Sequence, residues 1–203
     1  VLSSVKRIKG LDGNEKMGKS LGNAIYLSDT PEEITKKVEQ FFALYDCTPN
    51  EELLSHPEVI KAFEIAEKSH AGQLRKYTDE DYFVHLREVA SFLSSLPNIS
   101  HEEIIAGILH DLVEKTGHHL NFIKDNFGLT VATHVDDLTD KATLDEGNRQ
   151  QRIQKNWDKF SLSSEKSHNI KAIDILSNTR SIMLCDARYG ETYLQPISEL
   201  MNP

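Results

Sequence analysis

His110 and Asp111 stand side by side in the apolar stretch from Ile104 to Val113, which reads as one helix. His85 lies in Tyr82-Phe83-Val84-His85-Leu86, where another helix starts, and Asp174 is enclosed by Ala172, Ile173, Ile175 and Leu176. A carboxylate among apolar neighbours is costly unless it is paired, hydrogen-bonded or bound to a metal. Two imidazoles and two carboxylates form a mixed nitrogen and oxygen donor set. It suits Mn, Fe or Zn and is too nitrogen-rich for a typical calcium site. Taken singly, each of the four reads more simply as a satisfied core or cap residue. Only together do they suggest metal chemistry.

The elements that must hold these side chains are helical. Val59, Ala62, Phe63, Ala66 and His70 share one face at helical spacing, as do Leu86, Val89, Ala90, Leu93 and Leu96. Ile104, Ile105, Ile108, Leu109 and Leu112 form a third stripe, and Ile170, Ile173, Ile175 and Leu176 lie in a fourth helix. Pro97-Asn98 separates the second and third, and Ser100 with Glu103 forms a capping box for the third. Trp157 and Phe160 share a helix with Ile153 and read as core, whereas His118 and His119 read as exposed loop residues. Asp136, Asp137 and Asp140 read as a solvated acidic face. Before residues 41–58 the chain is Gly-rich and loop-like, with a possible extended run at 23–27. One short helix then begins at Pro31, capped by Asp29 or Thr30. The expected architecture is an all-α body of short, irregular helices over residues 46–203, preceded by a loop-helix appendage over residues 1–45.

Composition narrows the function classes. The chain has 203 residues, is 38% hydrophobic and 27% charged, and carries a net charge of −9. That is enough apolar material for a core and too much for a disordered chain. Residues 1–40 carry a net +1 and the remainder −10. An acidic body argues against a general nucleic-acid binder, whose affinity comes from neutralising phosphates. It leaves room for an anionic small molecule, because a bound divalent cation or a few local Lys and Arg reverse the field. No apolar run is long enough to cross a bilayer. With two cysteines and no secretory signal, the expected location is the cytoplasm.

The wording around the candidate ligands adds a resemblance. His70-Ala71-Gly72-Gln73-Leu74-Arg75-Lys76, Tyr82-Phe83-Val84-His85, Ala106-Gly107-Ile108-Leu109-His110-Asp111-Leu112-Val113-Glu114 and Asp174-Ile175-Leu176-Ser177-Asn178-Thr179-Arg180 follow one another in order. With Asn126-Phe127-Gly128-Leu129-Thr130-Val131-Ala132 and Leu138-Thr139, they resemble the HD-domain guanosine tetraphosphate hydrolases over residues 56–200. The resemblance implies an HD-type helical fold and hydrolysis of a guanosine 3′-pyrophosphate alarmone or related nucleotide. It implies manganese, or another divalent transition metal, on His85, His110, Asp111 and Asp174. It places Arg75 and Lys76 along the guanine and ribose, and Asn178 and Arg180 at the far wall. It also implies an acidic pair that positions a water.

That pair reads Glu114-Lys115 here, with Lys where the family carries Asp; Leu86 replaces the usual Pro, and Ile175 the usual Arg. An ammonium can bind a phosphate as a point charge but cannot act as the missing carboxylate. A catalytically impaired module that holds metal and nucleotide is therefore the alternative expectation.

The segment Gly10-Leu11-Asp12-Gly13 followed by Lys16-Met17-Gly18-Lys19-Ser20 resembles a second family, the signature-loop region of tryptophanyl-tRNA synthetases, over residues 10–38. In that family the counterparts of Lys16 and Lys19 steady ATP phosphates, as a Gly-rich loop bearing Lys suits. No nucleotide-binding strand-helix unit or second signature accompanies the loop. The segment therefore reads as a synthetase-derived tail, with tRNA disfavoured as a partner. A synthetase remnant with an accessory role is the third expectation.

Overall fold

The computed structural model describes residues 48–76 and 78–185, together with the course of the helices they form. Lys16, Lys19 and the whole expected appendage lie outside the described residues.

Eight α-helices appear among the described residues: α1 (Glu51–Leu54), α2 (Pro57–Ser69), α3 (Tyr82–Ser94), α4 (His101–Leu109), α5 (Leu112–Lys115), α6 (Leu120–Leu138), α7 (Arg149–Phe160) and α8 (Glu165–Cys185). Strand pairing among these residues is limited to an isolated bridge between Leu74 and Asp81. The all-α expectation holds.

Helix α4 is the axis of the body. Every residue from Glu103 to Leu109 is buried, and α2, α3, α6 and α8 all pack around it. Its start is the capping box read from the sequence: Ser100 N–H donates to Glu103 Oε2 at 3.1 Å. Lys166 on α8 closes a 2.8 Å ion pair on the same oxygen, which is why Glu103 tolerates burial. The first three stripes all face this core. Val59, Ala62 and Ala66 of α2, Leu86, Val89, Ala90 and Leu93 of α3, and the whole α4 set are fully enclosed. Phe63 and Leu96 pack at its edge.

Three local expectations are corrected. The helix beginning at His101 stops at Leu109, and His110-Asp111 form a junction of two helical-φ/ψ residues before the four-residue α5. Trp157 and Phe160 are half-buried rather than core, and form an edge-to-face pair on α7. The residues that α8 buries are Ser167, Ile170, Asp174, Ser177 and Ile182, while Ile173, Ile175 and Leu176 are only partly covered. Polar groups interrupt the apolar stripe because Asp174 and Ser177 meet the ligand cluster and Ser167 pairs with His134 and Asp137. Helix α6 is broken at Gly128, whose φ of 87° favours a residue without a Cβ.

Candidate metal centre and nucleotide wall

Each candidate ligand is delivered by a different local device. Asp81 caps α3 by accepting a hydrogen bond from Phe83 N–H at 2.8 Å, which sets the first turn and turns His85 inward. The end of α4 delivers His110, and the short step to α5 delivers Asp111. The buried polar face of α8 delivers Asp174. The structure brings ligand atoms of His85, His110 and Asp111 within 4.8 Å of one another, and Asp174 joins them through the two imidazoles. His85 Nε2 lies 3.3 Å from Asp174 Oδ1, His110 Nε2 lies 3.5 Å from the same oxygen, and His110 Nε2 lies 3.1 Å from Asp111 Oδ2.

The orientation of the imidazoles is set from behind. His110 Nδ1–H donates to the carbonyl of Gly107 at 2.8 Å, which leaves Nε2 facing the carboxylates. His85 Nδ1 pairs with Ser177 Oγ at 2.9 Å, and the Ser177 hydroxyl donates to Glu88. Both Nε2 atoms are buried and complete no hydrogen bond. Imidazole Nε2 atoms and carboxylate oxygens therefore converge on one place, an arrangement that calls for positive charge. The same backing of metal-ligating imidazoles is general in metal sites. The donor set fits a divalent transition ion.

The two carboxylates draw part of that positive charge onto His110 itself. Burial opposes charge on His110, but the carboxylates of Asp111 and Asp174 outweigh it and push its pKa up to about 10. Burial holds His85 below its ordinary value. Burial also opposes ionisation of Asp111 and Asp174, yet each lies well below the usual carboxylate range: His110 acts first on Asp111, and Lys171 and then His110 on Asp174.

Lys115 does something its sequence position did not announce. Its ammonium donates to Asp111 Oδ2 at 2.7 Å and to the Tyr82 hydroxyl at 2.5 Å, and it lies over the Tyr82 ring. Tyr82 itself donates to Asp111 Oδ2. Glu114 is exposed, and partial loss of water followed by the negative charges of Asp111 and Asp140 raises its pKa.

Of the residues expected to line a nucleotide, Arg75, Asn178 and Arg180 are linked by hydrogen bonds and ion pairs. Arg75 is buried; its guanidinium donates to Asn178 Oδ1 at 3.3 Å and lies 4.0 Å from Glu88. Asn178 Nδ2 donates to Asp174 Oδ1 at 2.7 Å, which joins these residues to the ligand cluster. Arg180 is exposed and pairs with Glu88 at 2.6 Å. Lys76 is exposed in the turn beyond Arg75. The turn is held by Arg75 N–H to the Glu80 carbonyl and Tyr82 N–H to the Gln73 carbonyl.

Sequence reasoning missed Tyr82, Glu88 and Ser177 as site residues. Only their helical offsets from His85 and Asp174 carried a signal: Glu88 is three after His85, and Ser177 three after Asp174. Two bland readings also shift. His118 is half-buried, hydrogen-bonded to Thr116 Oγ1 at 2.8 Å and packed on Phe122, and Asp137 accepts a hydrogen bond from the buried Ser167 hydroxyl. A second donor group, His56, Glu58 and His101, lies near the surface. The rings of His56 and His101 stack at 4.3 Å, only 19° from parallel. One ion cannot lie in both ring planes of such a stack, so the group reads as helix-end packing.

The HD domain family profile matches residues 62–174. That is more than half of the chain and includes all four candidate ligands. The chain belongs to the HD-domain family. A class I tRNA synthetase profile, for the tryptophan and tyrosine enzymes, matches residues 3–90. It extends beyond residue 38 and overlaps the HD match through most of α2 and part of α3.

Among curated proteins, this HD-domain chain is 42% identical over 94 residues to a guanosine-3′,5′-bis(diphosphate) 3′-pyrophosphohydrolase of Aquifex aeolicus, covering 44% of the chain and 13% of that protein. It is 30% identical over 118 residues to the protein of that name from Haemophilus influenzae, covering 58% and 17%. A GTP pyrophosphokinase of Myxococcus xanthus matches over 189 residues at 27% identity, covering 86% of the chain and 23% of that protein. The chain thus spans under a quarter of the length of these relatives. The solved structure of a metazoan ortholog of SpoT that hydrolyzes ppGpp superposes with a TM-score of 0.62. It is 21% identical, with 72% of this chain and 86% of that one covered, which establishes a shared fold. No helix among the described residues is long and apolar enough to cross a membrane.

Proposed function

We propose that this HD-domain protein is a metal-dependent phosphohydrolase acting on a guanosine 3′-pyrophosphate alarmone or a closely related nucleotide. The observation that carries the reading is the convergence of two unsatisfied imidazole Nε2 atoms with the carboxylates of Asp111 and Asp174. The pyrophosphohydrolase relatives support the substrate class. His85, His110, Asp111 and Asp174 would hold the ion, with manganese the expected metal. A divalent ion in such a site supplies a nucleophilic water at neutral pH and screens phosphate charge.

The residues of this chain do the rest. Gly107 and Ser177 keep the imidazoles aimed by engaging their Nδ1 atoms. Arg75, fixed by Asn178 and Glu88, would offer a rigid guanidinium to the nucleotide, with Lys76 next in sequence and Arg180 on the other oxygen of Glu88. Glu114 has a raised pKa, which suits a carboxylate that accepts a proton from water and returns it. A cytoplasmic location and a division into residues 1–45 and 46–203 belong to the same proposal.

The test is purified protein incubated with Mn²⁺ and guanosine tetraphosphate under single-turnover conditions. Release of guanosine diphosphate and pyrophosphate is expected, with loss of both in His110→Ala. Absence of product above that variant would overturn the hydrolase reading. The contact of Lys115 with Asp111 favours, as a second reading, a module that holds nucleotide and metal with little turnover. Nucleotide binding without product would select it. For residues 1–40 we propose a tail with no tryptophan-activating capacity, and tryptophan-dependent exchange of pyrophosphate into ATP would refute that.

A further inference from the structure

Both ligand carboxylates carry an ammonium, but they carry it differently. Asp174 divides its oxygens: Oδ1 faces His85 and His110 and accepts a neutral hydrogen bond from Asn178 Nδ2, while Oδ2 takes the Lys171 ammonium at 3.0 Å. Lys171 can therefore remain in place while Oδ1 binds an ion. Asp111 makes no such division. Its Oδ2 is the atom 3.1 Å from His110 Nε2, and the same Oδ2 takes Lys115 at 2.7 Å and the Tyr82 hydroxyl. An ion seated among the imidazoles and the Lys115 ammonium would compete for one oxygen.

We propose that Lys115 is a tethered competitor for the metal. It fills the cation position at Asp111 when the site holds no ion and must leave for the ion to bind, which lowers metal affinity and gates loading of the site. The proposal rests on the metal-site reading given above. Two further features make the exchange feasible. The Lys115 side chain is 39% exposed, at the C-terminal end of the four-residue α5, so its ammonium can swing into solvent. Its parking place is specific, since the Tyr82 ring and hydroxyl both receive the ammonium. Without an ion, Lys115 adds to the His110 imidazole in compensating the buried charge of Asp111. With an ion bound, repulsion between two neighbouring cations favours the outward position.

The experiment is calorimetric titration of the full-length protein with Mn²⁺ alone, without nucleotide, on the parent, Lys115→Met, Lys115→Gln, Lys115→Arg and Asp174→Asn, with thermal unfolding of each metal-free protein alongside. Lys115→Met and Lys115→Gln should bind Mn²⁺ more tightly, by about 10-fold or more, because each removes a cation that competes for Asp111 Oδ2. Lys115→Arg keeps the charge and should stay close to the parent, and Asp174→Asn should weaken binding. If Lys115→Met does not fold, Lys115→Gln, which retains a hydrogen-bond donor, decides. Equal affinity in the parent and both neutral variants, with Asp174→Asn still weakened, would overturn the competition and leave the metal site standing. Equal tightening in Lys115→Arg would also overturn it, because charge would not be the cause. No Mn²⁺ binding by the parent or the neutral variants, or binding that ignores Asp174→Asn, would overturn the metal-site reading and the competition with it.

Discussion

Ser177 is the residue through which the site is most open to a clean perturbation. Its hydroxyl accepts from His85 Nδ1 at 2.9 Å and donates to Glu88 Oε2, and the residue is fully buried. Ser177→Ala removes one oxygen and leaves two former partners. Glu88 keeps the Arg180 ion pair at 2.6 Å, so its loss is small. His85 is wholly enclosed and would have no acceptor left for Nδ1–H, which costs about 1–3 kcal/mol. For a chain of this size that corresponds to a fall in Tm of roughly 2–10 °C. The ring is also freed to exchange the proton between its nitrogens, so Nε2 no longer presents a fixed lone pair, and metal affinity should drop by about 10- to 100-fold. Thermal unfolding without metal and calorimetric Mn²⁺ titration separate these effects. Ser177→Thr, which retains a hydroxyl, should recover the affinity more than the stability, because its extra methyl must fit a closed space. A Ser177→Ala protein that binds Mn²⁺ like the parent would show that the Ser177 hydrogen bond does not orient His85.

Two further outcomes follow from packing and protonation. A Cβ on Gly107 would meet Leu93 Cδ1 at 2.3 Å and Val89 Cγ1 at 3.3 Å, so Gly107→Ala should cost about 1–3 kcal/mol of overpacking against about 1 kcal/mol gained in helix propensity; a Tm equal to or above the parent's would refute the tight α3–α4 contact. Burial lowers the pKa of His134, whose Nδ1 pairs with the buried Ser167 hydroxyl. Below the unfolded value near 6.5 the unfolded chain binds a proton that the folded one resists, so stability is complete above that pH and declines as pH falls through it. The decline in Tm between about pH 7.5 and 5 should be shallower in His134→Gln, and identical slopes would remove His134 from the acid response.

The parts of the molecule that were legible in the sequence are those that obey the hydrophobic period. The stripes of α2, α3 and α4 face the core as read, and the Ser100–Glu103 capping box sits where its spacing put it. Legibility failed on α8 for a physical reason. A helix packed against polar clusters buries whatever they require, so its buried residues are Ser167, Ile170, Asp174, Ser177 and Ile182, and a search for apolar periodicity passes over it. The same reasoning explains the junction at His110-Asp111. The apolar run from Ile104 to Val113 looks like a continuous helix, but the imidazole donates an Nδ1–H hydrogen bond to the Gly107 carbonyl while Asp111 lies against Nε2, and α4 stops at Leu109. Lys115 is the sharpest case. Spacing alone places it four residues after Asp111, an ordinary helical ion pair of small worth. What lifts it above that class is that Asp111 Oδ2 is also the oxygen facing His110 Nε2, a coincidence of atoms that residue types cannot encode.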